Sequence, residues 1–255
     1  MKDNKIYLSG KFAYKTDIGK VRLTNEDQAL AMINARGNVL LLVCDGMGGQ
    51  NKGDYASTLA KSTISEAFGK KARFWNRYDA YRWVLKTIRK ANREINEKAA
   101  ANRIYEGMGT TLTLVLIVKD YMVLAQVGDS RCYSYRLREF NQISEDQTYV
   151  AYLYRTGQIS KEEMKTHPKR HVLMNALGYY PSLELDIKVM PYRQEILLLC
   201  SDGLYNNVND SDIASIIKGN DSVDLKVNEL ISLANANGGS DNIAVVIWED
   251  DQYAS

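Results

Sequence analysis

The alternation of apolar and polar positions divides the chain into short strand-like runs and a few longer helical ones. Ala29–Asn34 and Asn38–Cys44 flank a turn at Gly37, and Thr110–Val118 and Met122–Val127 flank Lys119-Asp120. Arg131–Leu137 follows at once; Leu183–Val189, Glu195–Cys200 and Asn242–Trp248 come later. Connections this short join antiparallel neighbours, because parallel strands need a long crossover. Helical stretches interrupt the strands. Gly53–Phe68 begins after a Gly-rich turn, and Trp75–Ala101 sets Tyr81, Val84, Leu85, Ile88 and Ile95 at helical spacing. Asp212–Ile217 and Val223–Ala236 read as further helices. Strand runs separated by grouped helices predict an α+β fold with helices packed on antiparallel sheets.

Composition narrows the class. The longest apolar runs, Asn38–Cys44 and Leu112–Val118, are too short to span a bilayer, and Met1–Gly10 lacks the apolar core of a signal peptide. The 255 residues are 45% hydrophobic and 25% charged, with no low-complexity linker or repeat, so residues 1–255 read as one domain. Lys plus Arg number 33 against 31 Asp plus Glu, a net charge of +2, which gives no field for nucleic acid or an anionic membrane. The locally basic stretch Arg82–Arg103 reads as a solvated helix face. Three cysteines (Cys44, Cys132, Cys200) sit in or beside apolar runs. That argues for small core residues in a reducing, cytoplasmic setting rather than a disulfide framework. With only His167 and His171 available, a His-rich zinc site or a Ser–His–Asp triad is poorly supplied.

The chemistry concentrates in aspartates that follow apolar strands and precede or follow glycine. Asp45-Gly46 ends one such run and Cys200-Ser201-Asp202-Gly203 ends another. Gly128-Asp129-Ser130 is a related form, and Gly239-Ser240-Asp241-Asn242 enters the last strand. Each strand fixes its carboxylate at a sheet edge, and the glycine lets backbone and ligand approach closely. Carboxylates gathered at close quarters need a cation, and hard divalent ions such as Mg²⁺ or Mn²⁺ take oxygen ligands. The alternative is ordinary strand-ending turn aspartates; spacing alone leaves both readings open. Several look-alikes fail. Gly48–Gly53 has P-loop glycine spacing, but Asp54 and Tyr55 stand where Lys and Ser or Thr are required. Gly46-Met47-Gly48 lacks the third glycine of a dinucleotide fingerprint, and Cys132–Arg138 encloses a strand-like alternation without an anion-cradling loop.

An ordered series of motifs then runs through nearly the whole chain. It comprises Thr16-Asp17-Ile18-Gly19-Lys20-Val21-Arg22-Leu23-Thr24-Asn25-Glu26-Asp27, Asp45-Gly46-Met47-Gly48-Gly49 with Ala56-Ser57, and Gly109-Thr110-Thr111. Gly128-Asp129-Ser130-Arg131, Glu145-Asp146, His167-Pro168 with Ala176-Leu177-Gly178, Cys200-Ser201-Asp202-Gly203-Leu204 and Asp241-Asn242 complete it. The series resembles the metal-dependent serine/threonine protein phosphatases (the PPM, or type 2C, family) in their bacterial single-domain form. The resemblance implies a four-layer α-β-β-α sandwich of two antiparallel sheets flanked by helices. It implies two Mn²⁺ or Mg²⁺ ions bridged by Asp45. The Gly46 carbonyl would complete one of them, and Asp202 and Asp241 would hold the other. Glu26 and Asp27 would act through metal-bound waters, Asp129 with Asp202 at a third, weaker metal site, Arg22 on the substrate phosphate, and Asn242 in support of Asp241. A water between two ions about 3.5–4 Å apart is acidified for in-line attack, so no Ser or Cys nucleophile is required.

The implied activity is hydrolysis of phosphoserine and phosphothreonine on proteins, opposing a bacterial Ser/Thr kinase. The alternatives are a small phosphoester or a partner-switching regulator as substrate, or a non-catalytic member that binds phosphoproteins or metals. The sequence departs from the family at several loop positions. Met47 replaces the histidine that animal members carry as a proposed general acid. Gln50, Asn51 and Asp54 replace a more usual His and Glu. Gln147-Thr148 replaces His-Ser, His171 replaces Asn, Asn175 replaces Arg, and Asn206 replaces Asp. Residues 145–178 would form a mobile flap beside the cleft.

Overall fold

A computed structural model describes residues 8–48, 52–71, 73–179 and 183–252. The amino-terminal half runs β1 (Gly10–Asp17), β2 (Asp27–Ile33), β3 (Val39–Met47), α1 (Lys52–Lys70), α2 (Arg77–Ala101), β4 (Gly109–Thr110), β5 (Leu112–Val118) and β6 (Tyr121–Val127). Then come β7 (Arg131–Arg136), β8 (Glu139–Gln142), α3 (Tyr149–Arg155), α4 (Lys161–Thr166), β9 (Asp186–Pro191) and β10 (Ile196–Cys200). The chain continues through α5 (Asp202–Tyr205), α6 (Asp210–Lys218), α7 (Val223–Ala236) and β11 (Ile243–Asp250). One sheet has the order β1-β11-β10-β7-β8 and the other β2-β3-β5-β6-β9, with β4 paired to the end of β3. The pairings are antiparallel.

β3 explains the layering. Leu40, Leu42 and Cys44 pack with Ile64 of α1 and Ile88 of α2, while Val39, Leu41 and Val43 pack with Leu197, Leu199 and Trp248 of the other sheet. Both faces are buried, so the strand reads as a continuous apolar run, although a half-solvated antiparallel strand would alternate. On the far side, Leu198, Val245 and Ile247 meet Ile213 and Ile217 of α6 and Val227 and Leu230 of α7. Helices, sheet, sheet and helices give the α-β-β-α sandwich.

Some elements differ from the pattern-based expectation. β1 was not predicted because only Ala13 of its residues is buried, the rest being edge positions. α2 starts at Arg77 rather than Trp75, because Asn76 is extended and its side chain accepts from the Asp79 N–H at 2.9 Å. β9 begins at Asp186; Leu183 and Leu185 instead lie against the helix-side core. Residues 145–178 hold α3 and α4, the latter opened by a capping box between Ser160 and Glu163. Cys44, Cys132 and Cys200 are free and buried. Cys132 lies inside β7, where burial pushes its thiol well above the usual range, the reverse of an activated nucleophile.

Candidate metal centre

Strand register assembles the aspartates at one edge of the sandwich. In the β2–β3 pair Asp27 stands directly across from Asp45. Asp45 is locked through its backbone: its N–H donates to Thr111 Oγ1 at 2.9 Å, and its carbonyl accepts from the Thr111 N–H at 2.8 Å. Thr111 Oγ1 is in turn 2.7 Å from Ser130 Oγ, beside Asp129 in the β6–β7 turn. Gly46 lies where three backbones converge. A Cβ there would come within 2.3 Å of the Gly53 carbonyl oxygen and 2.6 Å of that of Glu26, so no side chain fits. Gly53, at the start of α1, has the Glu26 carboxylate against it. From the other sheet, β10 delivers Asp202 at the start of α5, and Asp241 precedes β11. α5 rests on this turn so closely that a Cβ on Gly203 would reach 1.9 Å from the Asn242 carbonyl oxygen.

Two buried carboxylate oxygens in this cluster, Asp27 Oδ1 and Asp202 Oδ1, have no hydrogen-bond partner. Their companion oxygens do: Asp27 Oδ2 accepts from Ser201 Oγ at 2.6 Å, and Asp202 Oδ2 from Asn206 Nδ2 at 3.1 Å. Each carboxylate is thus held by one oxygen with the other left bare. Burial, then repulsion from Asp202, Asp241 and Glu26, pushes Asp27 up to about 8. Asp45 rises well above the carboxylate range through burial and then Asp27, Asp202, Asp129 and Asp241. Asp129 is pushed up to about 8 by burial and Asp202. Asp202 reaches about 6 through burial and Asp241, with Arg22 and Arg131 opposing. Among the described residues no three His, Cys, Asp or Glu side chains close on one point as a finished cage. Asp202 and Asp45 nevertheless lie within hydrogen-bond reach of each other, and the carboxylates raise one another's proton affinity, the sign of a shared site. An all-oxygen donor set, bare buried oxygens and mutually repelling carboxylates fit hard divalent cations.

Arg22 closes the site from the loop before β2. Its Nη2 donates to Asp241 Oδ2 at 2.7 Å, and its side chain stays 56% exposed. Asn242 ties that loop down: its Nδ2 donates to the carbonyls of Ile18 and Thr24, both at 2.9 Å, and its Oδ1 accepts from the Glu26 N–H at 2.9 Å. Toward Asp241 it contributes its backbone N–H, 2.8 Å from Oδ1. The side chain therefore anchors the loop rather than the neighbouring carboxylate.

Residues 20–242 match the family model of protein phosphatase 2C. The chain belongs to the protein phosphatase 2C family. It is 37% identical over 239 residues to the serine/threonine phosphatase stp of Listeria monocytogenes, covering 93% of this chain and 95% of that protein. Its fold matches the serine/threonine phosphatase of S. agalactiae with a TM-score of 0.90 at 32% identity, over 95% of this chain and 100% of that one. It also matches the catalytic domain of the serine/threonine protein phosphatase PstP, solved in complex with two manganese ions, with a TM-score of 0.83 at 31% identity, over 94% and 97%. The enzyme is a metal-dependent protein serine/threonine phosphatase.

The departures of this phosphatase from the family pattern make contacts of their own. Asn206 holds Asp202 as described. Gln147 Oε1 accepts from the Gly128 N–H at 3.0 Å and from Asn175 Nδ2 at 2.9 Å, fastening the 145–178 segment to the turn that carries Asp129. Asp54 lies in the first turn of α1, and His171 is exposed. Gly49, Gln50 and Asn51 lie outside the described residues, as do residues 1–7 of the amino-terminal segment. Sequence reasoning named neither Ser201 nor Asn206 as site residues. Nor did it anticipate the girdle behind Asp129. There Arg131 bonds Asp146 at 2.7 and 3.1 Å and lies 3.6 Å over the Tyr205 ring, while Tyr205 Oη donates to the Asp129 carbonyl at 3.2 Å. The Gly-Asp-Ser-Arg motif pointed to Arg131, but its partners are distant in sequence.

Proposed function

We propose that Asp45, the Gly46 carbonyl, Asp202 and Asp241 hold two divalent ions, Mn²⁺ or Mg²⁺, with which the phosphatase hydrolyses phosphoserine and phosphothreonine on proteins. The bare, buried Oδ1 of Asp202 inside a cluster of mutually repelling carboxylates carries this reading; the two manganese ions of PstP support it. Bound ions of this kind acidify water and neutralise the charge of the phosphoryl oxygens. Arg22 grips the phosphate, its planar fork suited to paired hydrogen bonds, and the bond to Asp241 keeps that fork at the lip of the cleft. Glu26 and Asp27 act at one remove, through water, with Ser201 fixing the Asp27 carboxylate. Met47 has no proton to give, so the leaving oxygen takes its proton from water or from another group. Asp129, whose affinity for protons Asp202 raises, forms with it a third and weaker ion site.

The substrates of this reading are phosphorylated proteins, including a Ser/Thr kinase that the enzyme opposes. The setting is cytoplasmic: three free, buried thiols accord with a reducing compartment. Among the described residues no helix is long and apolar enough to cross a membrane. The deciding experiment assays purified protein in EDTA, then with Mn²⁺, Mg²⁺ or Ca²⁺ restored. Activity should vanish and return with Mn²⁺; full turnover in chelator, with metal absent by elemental analysis, refutes the assignment.

A further inference from the structure

We propose that the corner formed by residues 73–86 and the β5–β6 turn is a docking surface for an acidic peptide segment bearing one large apolar side chain. This corner lies at the opposite end of the second sheet from the aspartates. β6 runs from Tyr121 at the corner to Val127 beside Asp129, a strand length of about 20 Å.

Two adjoining grooves, of about 570 and 530 Å³, share Trp75, Asn76 and Tyr78. Trp75 is 71% exposed and Tyr78 66%, although aromatic rings of this size ordinarily bury most of their surface. Each is overlaid by an arginine. The Arg73 guanidinium lies 4.3 Å from the Trp75 centroid and that of Arg82 5.6 Å from Tyr78. Stacking uses the face of the guanidinium and leaves its in-plane N–H donors directed outward. Arg82 spends one donor on Tyr78 Oη at 3.5 Å, and its other N–H groups have no carboxylate partner among the described residues. Among the described residues Arg73, Arg82, Lys86 and Lys119 have no carboxylate within ion-pair distance, whereas Lys71 is paired with Asp79 and Arg77 with Asp120. Farther along α2, Lys90 and Arg93 carry Glu94 and Glu97 one turn on. The positive charge left over at this corner exceeds the whole chain's +2.

Aromatic rings with unpaired arginine edges suit carboxylates flanking an apolar side chain: the acids take the N–H edges and the side chain seats between Trp75 and Tyr78. Two short grooves that already contain Asp79 and Asp120, on a chain of such small net charge, match a peptide segment better than a polyanion. The binding itself stands apart from catalysis; its use in substrate capture rests on the phosphatase reading. A substrate held here would present its phosphorylated residue about 20 Å away, at least about six extended residues from the acidic segment, and the tether would raise its effective concentration at the cleft.

The test titrates the full chain calorimetrically with a synthetic peptide of Leu flanked by Glu runs, and with its Lys-for-Glu counterpart. The acidic peptide should bind and the basic one should not. Affinity should fall with salt, and by at least about tenfold in Arg73→Glu/Arg82→Glu and in Trp75→Ser. Those variants should keep wild-type turnover of an aryl phosphate. A phosphopeptide extended through a flexible linker by the acidic segment should have a lower KM than the unextended one, and the variants should abolish the difference. The proposal is overturned if the acidic peptide does not bind or binds the variants equally. It is also overturned if the surface prefers oligothymidylate or anionic vesicles, or if it mediates self-association. If aryl phosphate turnover were absent altogether, the phosphatase reading would fail while the calorimetry still decided the docking surface.

Discussion

Replacing Asp202 by Asn should abolish activity and stabilise the metal-free protein, two effects of opposite sign from one change. The carboxamide preserves size and keeps an acceptor for Asn206, so the packing of α5 survives. What it removes is charge. In the folded chain Asp202 is pushed from 3.8 up to about 6, by burial first and by Asp241 next. Each pKa unit is worth about 1.4 kcal/mol, so the ionised side chain costs the metal-free fold about 3 kcal/mol at neutral pH. Because the folded value lies above the unfolded one, the native state binds more protons between about pH 4 and 6, and stability falls as pH rises through that window. The cost is complete above about pH 6 and absent below about pH 4. Calorimetric unfolding in EDTA should therefore show Asp202→Asn melting higher than wild type by roughly 6–12 °C at pH 7.5, with the gap closing near pH 4. In Mn²⁺ the order should reverse, since the wild type alone binds its ions fully. Turnover with Mn²⁺ should drop by more than about a hundredfold, because even groups that only orient metal ligands cost 10–100-fold when removed. Near-normal turnover, or a variant less stable in EDTA at pH 7.5, would refute the reasoning.

Arg22→Ala should lower kcat/KM on peptide and aryl phosphates alike by about 10- to 150-fold, from a lost charged hydrogen bond of about 1.5–3 kcal/mol. Its melting temperature should move little, because the exposed Arg22–Asp241 pair contributes at most about 1 kcal/mol; unchanged efficiency on both substrates would exclude the phosphate grip. Gly46→Ala, whose methyl group would meet the Gly53 and Glu26 carbonyls, should destabilise the fold by at least about 1–3 kcal/mol in denaturant titration. Replacing Tyr149, Tyr152 and Tyr154 of α3 by Ala should depress phosphopeptide turnover more than aryl phosphate turnover, since Tyr152 and Tyr154 are exposed. Equal losses on both would make the helix a support rather than a selector.

The buried strands were legible because their residues face apolar neighbours on both sides: Val39–Cys44 and Leu112–Val118 can hardly be anything else. β1 was not, because an edge strand has backbone partners on one side only, and of its side chains only Ala13 is buried, the rest being partly or fully exposed. The aspartates could be found from their place after apolar runs, since a strand end fixes a carboxylate whatever the loop does next. Ser201 and Asn206 could not. Both act by hydrogen bonds whose geometry exists only once α5 has turned back from β10, and a serine before or an asparagine after an aspartate carries no such mark. The basic stretch at Arg82 read as a solvated face, and for Lys90 and Arg93 that is right. At Arg82 the sequence does not show the Tyr78 ring beneath it or the lack of a carboxylate partner.

The three hydrogen bonds of the Asn242 side chain have a consequence for when the enzyme becomes active during its own synthesis. Asn242 precedes β11, more than 200 residues after the loop that it fastens. Until that strand inserts between β1 and β10, the loop carrying Arg22 lacks its Asn242 ties and is held only at its far end, by Asn25 and Glu26. Such a closure is among the slowest kinds of contact for a chain to make. On the proposed reading, a chain still lacking β11 has neither Asp241 nor the Asn242 ties in place and should hydrolyse no phosphoester. A product truncated or stalled before Asp241 should therefore be a silent one.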